Sequence, residues 1–329
     1  MEKYSQFRDK GSGISPFLPI LTPVSIPTKI IGLGLFMIRL PLLIAYCLVY
    51  FLVLDHLPVP KIAQFTRKLQ LWTILGIPGI WWVDLQLDGV RRGSLSRQPE
   101  SRFPRRHAVI AAQFTSPVDA IYLAAIFDPI FVISYPGTRK VQRISLFRAM
   151  TQALAPPPQS TSIPRTGLTT VGALVNENPH RVIAVFPEMT TTNGKGILPL
   201  SHSLLTCPSD ARIFPVSIRY TPADITTPIP GAWLSFLWNL LSKPTHYIRV
   251  RVAEGVANTS SAVNGSHGGE EEEAEEERGE DGLTSAEARL LDHVGDSLAR
   301  LARNKRVALT VRDKAAFVEA AVKGKGKRS

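Results

Sequence analysis

Two stretches near the beginning of the chain are almost continuously apolar. The first runs from Ile30 to Leu54 and the second from Leu71 to Val83. The first has about the 20 residues that an α-helix needs to cross a bilayer core, although an arginine and a proline interrupt it. The second contains two adjacent tryptophans, a residue type enriched at the headgroup level of membranes. The pattern therefore predicts a membrane-associated region over residues 30–83, after a polar tail at 1–29.

The topology of this region has three open interpretations. It is a single span, a helical hairpin or re-entrant insertion broken near Pro41, or the buried helix of a soluble domain. Basic residues flank the region on both sides, so the distribution of Lys and Arg does not set an orientation. The long polar tail before the apolar run argues against a cleaved signal peptide.

Over residues 84–253, short apolar runs alternate with segments of helical period. Strands are predicted for the runs Val83 to Leu87, His107 to Ala112, Ile130 to Ser134, Arg181 to Phe186, Ile213 to Arg219 and Tyr247 to Val252. Helices are predicted for Pro117 to Ile126, Ile144 to Leu154 and Thr169 to Asn176. Such alternation is typical of an α/β domain with a mostly parallel sheet flanked by helices.

Two further segments follow this domain. Residues 254–283 are rich in Gly, Ser and Glu and have no apolar period, which predicts an acidic disordered loop. Residues 284–329 begin with Thr284 and Glu287 in the spacing of a capping box, which predicts the start of a helix. A last helix is predicted over Lys314 to Val322, before a basic tail.

The charge balance narrows the class of partner. The formal net charge is +11, although the acidic loop alone carries nine carboxylates between Glu270 and Asp281. An excess of positive charge favours an anionic partner, either nucleic acid or an anionic membrane surface. Because 44% of the residues are hydrophobic and they cluster in long runs, we expect a lipid membrane and no nucleic acid. Cys47 and Cys207 have neither disulfide nor metal-site spacing, so we expect no metal and a cytosol-facing domain.

Two polar segments follow predicted strands and carry the candidate chemistry. Gln113-Phe114-Thr115-Ser116-Pro117-Val118-Asp119 lies where the second strand gives way to a helix. Phe186-Pro187-Glu188-Met189-Thr190-Thr191-Thr192 lies at the end of the fourth strand. Open α/β sheets bind ligands at the carboxyl ends of their strands, so both segments are candidates for one site.

The first segment resembles the first signature block of the glycerophospholipid acyltransferase family, Asn-His-x-Ser-x-x-Asp. Ser116 and Asp119 match, Gln113 stands for the asparagine and Phe114 stands for the histidine. The second segment resembles the third block, Phe-Pro-Glu-Gly-Thr-Arg-Ser. Its matches are Phe186, Pro187, Glu188 and Thr190, and its departures are Met189 for glycine, Thr191 for arginine and Thr192 for serine.

The other two blocks of the family are represented more weakly. Arg165 lies at the expected distance for the arginine of the second block, and Phe214 to Ile218 resembles the fourth. The order and spacing of the four candidates make the resemblance more specific than any block alone. Within the family, the chain is most similar to a divergent fungal branch of lysophosphatidate acyltransferase-like proteins of the endoplasmic reticulum and lipid droplets.

The resemblance implies an enzyme that moves a fatty acyl group from acyl-CoA to a lysophospholipid, with lysophosphatidic acid as the first candidate acceptor. It implies a catalytic turn made by Asp119, Ser116 and Gln113. It implies that the acceptor is held by Arg165, Glu188, Thr190 and Thr191. Acyl-CoA would be a co-substrate, and the family requires neither a metal nor another cofactor.

Phe114 puts this activity in question, because phenylalanine cannot accept a proton. Asp119 could act as the base directly or through a water, and the phosphate of the substrate is another acceptor. His107 is expected at the opposite end of its strand, whereas His202 could fold back. The alternative function is a catalytically inactive lipid-binding homologue. Asp119 as a plain helix cap and Glu188 as an exposed loop carboxylate are the structural alternatives.

Overall fold

The computed structural model describes residues 2–52, 62–90, 93–159, 163–164, 166–260 and 282–326. Arg165 and the acidic run lie outside these residues. The helices are α1 (Ile26–Leu52), α2 (Ile62–Gly76), α3 (Pro117–Phe127), α4 (Leu146–Gln152), α5 (Val171–Glu177), α6 (Trp233–Leu241), α7 (Ser285–Ala302) and α8 (Val311–Gly326). The strands are β1 (Ile80–Leu87), β2 (Ala108–Ala112), β3 (Ile130–Ser134), β4 (Val141–Ile144), β5 (Leu168–Thr169), β6 (Val182–Val185), β7 (Gly196–Ile197), β8 (Arg212–Thr221), β9 (His246–Val252), β10 (Val256–Ala257) and β11 (Lys305–Arg306).

The main sheet is mixed and is parallel at its centre. Within the described residues its order is β1-β9-β8-β2-β6-β3-β4-β5, with β10 beside β8. The four central strands β8, β2, β6 and β3 run parallel, and antiparallel pairs lie towards both margins. The predicted fold class, an α/β domain with a mostly parallel sheet flanked by helices, is confirmed. β1 begins at Ile80, so the sheet starts inside the region 30–83.

Both faces of the central strands are buried, which explains why these strands are continuous apolar runs. On β2, Ile110 and Ala112 face one core together with residues of α3, α2 and α1. Val109 and Ala111 face a second core built with α5 and α7. The sheet therefore holds the end of β2 between two packed layers, and the turn after it has little freedom to move.

α1 lies along the domain. It continues through Pro41 without a break, so the interpretation of a hairpin broken near Pro41 is wrong. A side chain at Gly32 would bring a Cβ within 2.9 Å of the carbonyl oxygen of Ser242, so only glycine permits this close approach. Further along, the guanidinium of Arg39 donates to four carbonyl oxygens, among them that of Lys243 at 2.5 Å and that of Pro244 at 3.1 Å.

The other face of α1 is apolar and exposed. Met37 is 67% exposed and Ile38 is 70% exposed. Among the described helices, α1 is the one long and apolar enough to cross a bilayer. In strand β1, the side chains of Trp81 and Trp82 are 67% and 65% exposed.

The two ends of the described chain pack against each other. Phe7 and Phe17 from the N-terminal segment contact Phe317 of α8 at ring-centroid distances of 5.3 and 5.9 Å. The N-terminal segment also accepts a hydrogen bond from Asn193, whose backbone N–H donates to the carbonyl of Pro16 at 2.8 Å. Together these segments cover the loop that follows β6.

Candidate active site

The turn between β2 and α3 is closed by a capping box. The Ser116 hydroxyl accepts from the backbone N–H of Val118 at 3.3 Å, and the Asp119 carboxylate accepts from the backbone N–H of Ser116 at 2.9 Å. Pro117 at the first helical position has the backbone φ that a helix start requires. Asp119 therefore does cap its helix, as the structural alternative expected.

Capping accounts for only part of the Asp119 environment. Oδ2 also accepts from the Thr115 backbone N–H at 2.7 Å and from the Thr115 hydroxyl at 3.1 Å, and Oδ1 accepts from the hydroxyl of Tyr220. The carboxyl group is fully buried, and this burial raises its pKa to about 6, against the opposing effect of the hydrogen bonds from Tyr220 and Thr115. A buried carboxylate whose pKa is near neutrality is suited to exchange a proton.

Tyr220 was missed in the sequence and is the partner of Asp119 in the fold. It lies on β8, next to β2, and on the same face as Val216 and Ile218. Burial, followed by the nearby charge of Asp119, raises the pKa of the Tyr220 phenol well above its ordinary value. The phenol therefore stays protonated at neutral pH and donates. In the sequence, the only signal for Tyr220 is that it continues the alternation of buried positions that begins in the fourth block.

Phe114 stands at the position of the family histidine, and its ring is part of an aromatic stack. Its ring is 1% exposed and lies on that of Phe186 with a centroid distance of 4.3 Å and an interplanar angle of 21°. Phe131 continues the stack at 6.3 Å from Phe186. A narrow pocket beside the stack is lined in part by Gln152 and Met189. Nothing in this stack can accept a proton, and the catalytic role of Asp119 stays a prediction.

The third-block loop is bonded directly to the first-block turn. The backbone N–H of Thr192 donates to the carbonyl of Phe114 at 3.1 Å. Thr191 lies inside the protein, where its hydroxyl donates to the carbonyl of Thr227 at 2.6 Å. Met189 has a φ of 60°, which is left-handed backbone at the position where the family pattern has glycine. Met189 therefore holds a backbone conformation that glycine adopts without a steric penalty.

Glu188 is fully buried, so its interpretation as an exposed loop carboxylate is wrong. Its Oε2 accepts from the backbone N–H of Leu198 at 3.1 Å, whereas Oε1 has no partner among the described residues. Burial raises the pKa of Glu188 to about 8, although the backbone N–H groups of Leu198 and Phe114 oppose the rise. Glu188 is therefore mostly protonated at neutral pH.

A lysine from the far end of the chain reaches the same loop. Nζ of Lys314, on α8, donates to the carbonyl oxygen of Thr191 at 2.6 Å and to its hydroxyl at 3.0 Å. The side chain is fully buried, and burial lowers the pKa of Lys314 to about 7 while nearby Glu188 opposes the change. The ammonium group of Lys314 thus lies against Thr191, the residue at the position of the third-block arginine. The sequence signal was a lysine in phase with Val311 and Phe317 on the buried face of α8.

The remaining predicted site residues do not all lie around Asp119. Gln113 turns towards β8, where its Oε1 accepts from the hydroxyl of Ser217 at 2.5 Å, and its Nε2 has no partner within the described residues. Thr190 is buried in the third-block loop. The substrate-binding roles of Glu188, Thr190 and Thr191 stay predictions, as does that of Arg165, which lies outside the described residues.

No histidine takes the place of the missing one near Asp119 in the described part of the chain. The three residues that donate to the carboxylate are Thr115, Ser116 and Tyr220. His107 lies at the opposite end of β2, where its Nε2 is 2.9 Å from Asp210. His202 begins a short 3-10 helix. The described residues contain no cluster of His, Cys, Asp or Glu able to hold a metal, and a metal-free reaction stays a prediction.

Comparison with known proteins finds two named relatives in yeasts. No family model matches the sequence. The chain is 28% identical over 259 residues to a Schizosaccharomyces pombe protein named "Putative lysophosphatidic acid:oleoyl-CoA acyltransferase", and the match covers 76% of this chain and 83% of that protein. It is 24% identical over 203 residues to lysophosphatidic acid:oleoyl-CoA acyltransferase 1 of Saccharomyces cerevisiae, with 61% of each chain covered. The chain is therefore similar to two yeast proteins that are named as lysophosphatidic acid acyltransferases.

One solved structure of a bacterial protein is also similar to this chain. It is the 1-acyl-sn-glycerophosphate acyltransferase PlsC of Thermotoga maritima, with a TM-score of 0.40 and 13% identity. The match covers 84% of this chain and 95% of that one. This chain has the aspartate of the first block in its buried turn and a phenylalanine at the histidine position.

Proposed function

We propose that the protein transfers a fatty acyl group from acyl-CoA to a lysophospholipid, with lysophosphatidic acid as the acceptor and phosphatidic acid as the product. The observation that carries this proposal is the environment of Asp119, a buried carboxylate at the end of a central parallel strand. It is tied to a hydroxyl that can relay a proton. The names of the two yeast relatives support the choice of acceptor and donor.

In the proposed reaction, the acceptor hydroxyl attacks the thioester carbonyl carbon. Its proton passes to Tyr220 as the phenolic proton passes to Asp119. The tetrahedral intermediate collapses when the C–S bond breaks, and the thiolate of coenzyme A takes up the proton. The new ester C–O bond remains with the product, so no covalent enzyme intermediate and no metal are needed. Tyr220 thus acts as a relay at the step where the family histidine acts, and Asp119 holds the proton until the thiolate leaves.

Attachment to a membrane would bring the site to its lipid substrate. The exposed apolar face of α1 supplies the attachment surface, together with Trp81 and Trp82. Since Arg39 and Gly32 fasten α1 to the domain, attachment within one leaflet is favoured over a span that leads away from it. We place the protein on the cytosol-facing surface of the endoplasmic reticulum or of lipid droplets.

The test is an assay of the purified full chain in detergent, with labelled oleoyl-CoA and a panel of lysophospholipids. We expect labelled phosphatidic acid from lysophosphatidic acid, and a loss of at least a hundredfold in Asp119→Asn. Asp210→Asn, a matched change at the other end of the sheet, should keep the wild-type rate. Equal rates in wild type and Asp119→Asn would place the chemistry elsewhere.

The second candidate function is an inactive lipid-binding homologue. The stack of Phe114 on Phe186 favours it, because an apolar wall stands where the family has its base. This function predicts no turnover with any acceptor in the same assay, while lysophosphatidic acid still raises the melting temperature of the protein. Turnover that depends on Asp119 would exclude it.

A further inference from the structure

A second site lies at the end of the sheet opposite the motif turn. A cavity of about 840 Å³ opens where β2 and β6 begin and α3 ends. The length of β2, at about 3.3 Å per residue, puts it on the order of 20 Å from Asp119, so it is not part of the acyl-transfer site. Its lining includes His180, and its charged side chains are five basic ones and one carboxylate: Arg67, Lys68, Arg105, Arg106, Arg181 and Asp128.

The positive charge of this cavity is only partly compensated. Asp128 lies 3.0 Å from Arg67 and 3.6 Å from Arg181, and Arg105 pairs with Glu100 at 2.6 Å. Lys68 and Arg106 have no ion pair within the described residues. A concave, solvent-open surface with such an excess of cations attracts a phosphate group.

The rest of the cavity and its surroundings are apolar. Ile126, Phe127 and Phe103 form part of the lining. On α2, the side chains of Phe65 and Leu69 are 71% and 57% exposed, one turn apart and beside Lys68. A charged pocket with an apolar wall and an apolar rim matches a headgroup that continues into glycerol and acyl chains.

The cavity also adjoins the proposed membrane surface. Nε of Arg67 donates to the hydroxyl of Tyr50 at 3.3 Å, which fastens the cavity wall to the last turns of α1. The ring of Phe51, the next residue, lies against Phe147 at 5.3 Å. A bilayer that covers the exposed face of α1 would therefore bring its headgroups to the cavity mouth.

We propose that this cavity is a headgroup site for an anionic phospholipid of the membrane, separate from the acyl-transfer site. It rests on the membrane attachment in the proposed function but not on catalysis. The bound phosphate contacts Lys68 and Arg106 and fixes the orientation of the domain on the bilayer. Anionic surfaces then hold the protein more tightly than neutral ones.

Flotation of the full chain with vesicles tests this site. Wild type should bind vesicles with about one fifth phosphatidylserine at least ~10-fold more tightly than phosphatidylcholine vesicles, since each surface cation contributes about one kcal/mol. The Lys68→Glu/Arg106→Glu variant should lose most of that preference. Arg289→Glu/Lys305→Glu makes the same change of charge at exposed positions on α7 and β11 and should keep it. An unchanged preference in the first variant would overturn the proposal, as would wild-type binding to neither vesicle.

A second arm separates a lipid headgroup from the phosphates of soluble coenzyme A. In neutral detergent, Lys68→Glu/Arg106→Glu should keep the wild-type KM for acyl-CoA. A ~10-fold rise in KM with unchanged vesicle binding would assign the cavity to coenzyme A and overturn the headgroup proposal. Vesicle binding is measured without acyl-CoA, so its result tests the headgroup site even if no turnover is found. If the melting temperature shows that the glutamate variant is unfolded, Lys68→Gln/Arg106→Gln gives the same comparison.

Discussion

The hydroxyl of Tyr220 donates a hydrogen bond to Oδ1 of Asp119, although 101 residues separate the two along the chain. In the family pattern the aspartate of this turn orients a histidine. Here the histidine position holds a buried phenylalanine, and the aspartate holds a tyrosine from the neighbouring strand. The carboxylate of this turn is therefore paired with a phenol from the neighbouring strand.

Tyr220→Phe should reduce acyl transfer by about 10²–10⁴-fold, because it removes the relay while leaving the ring in place. It also removes a hydrogen bond that lowers the pKa of Asp119, so the acidic limb of the pH–rate profile should move to higher pH. Tyr122→Phe is the matched control, since Tyr122 is buried nearby and does not donate to Asp119. Wild-type kinetics in Tyr220→Phe would exclude the relay.

Glu188→Gln should flatten the pH dependence of stability. Because the folded pKa is about 8 and the ordinary value is 4.5, the native protein binds more protons than the unfolded chain between these limits. The free energy of unfolding therefore falls as pH rises through that window. Between pH ~5 and ~7 the fall should be on the order of 2 kcal/mol and should shrink in the variant. Melting temperatures at both pH values measure it.

The titrations of Lys314 and Asp119 can be separated from that of Glu188 in this measurement. Lys314 has a lowered pKa of about 7, so its own contribution to the slope begins only above that pH and has the opposite sign. Asp119 adds a fall of the same sign as that of Glu188, but only up to its pKa of about 6. The exposed Glu177→Gln serves as the control and should leave the slope unchanged. A Glu188→Gln slope equal to that of wild type would contradict the prediction.

Met189→Gly should be more stable than Met189→Ala by about 1 kcal/mol, because the position has left-handed backbone. Both variants lose the same side-chain contacts, so the comparison isolates the backbone. Thermal unfolding of the two proteins under one set of conditions measures the difference. Equal melting temperatures would mean that the loop relaxes its φ without cost.

Lys314→Met should destabilise the protein by roughly 1–3 kcal/mol, because the buried carbonyl of Thr191 loses its donor. The variant should also raise the pKa of Glu188 further, since it removes a nearby positive charge. Lys323→Met, an exposed change on the same helix, should have almost no effect. A stable Lys314→Met protein would show that the loop finds another donor.

Ile38→Lys should weaken binding to neutral vesicles by ~10-fold or more, because it places a charge on the exposed apolar face of α1. Val322→Lys puts the same charge on α8 at a position that is 65% exposed and away from α1. Co-flotation should therefore fall in the first variant and not in the second. Equal binding would move the attachment surface away from α1.

Much of the secondary structure was predictable for local reasons. The predicted strand at Ile130 to Ser134 has the bounds of β3, and the helix predicted from Pro117 begins there. Central strands buried on both faces are continuous apolar runs, and a capping box fixes a helix start within four residues. The α7 start after Thr284 follows from the same spacing. These signals need no information about distant residues.

The sequence by itself determined the α/β alternation, the apolar N-terminal helix and the order of the family blocks, because each depends on residues that are neighbours in the chain. Only the tertiary structure decided what surrounds the carboxylates. Tyr220 reaches Asp119 through the pairing of β8 with β2, and Lys314 reaches Thr191 across 123 residues through the packing of α8. Burial by these distant elements raises the pKa values of Asp119 and Glu188, and no local pattern specifies such burial.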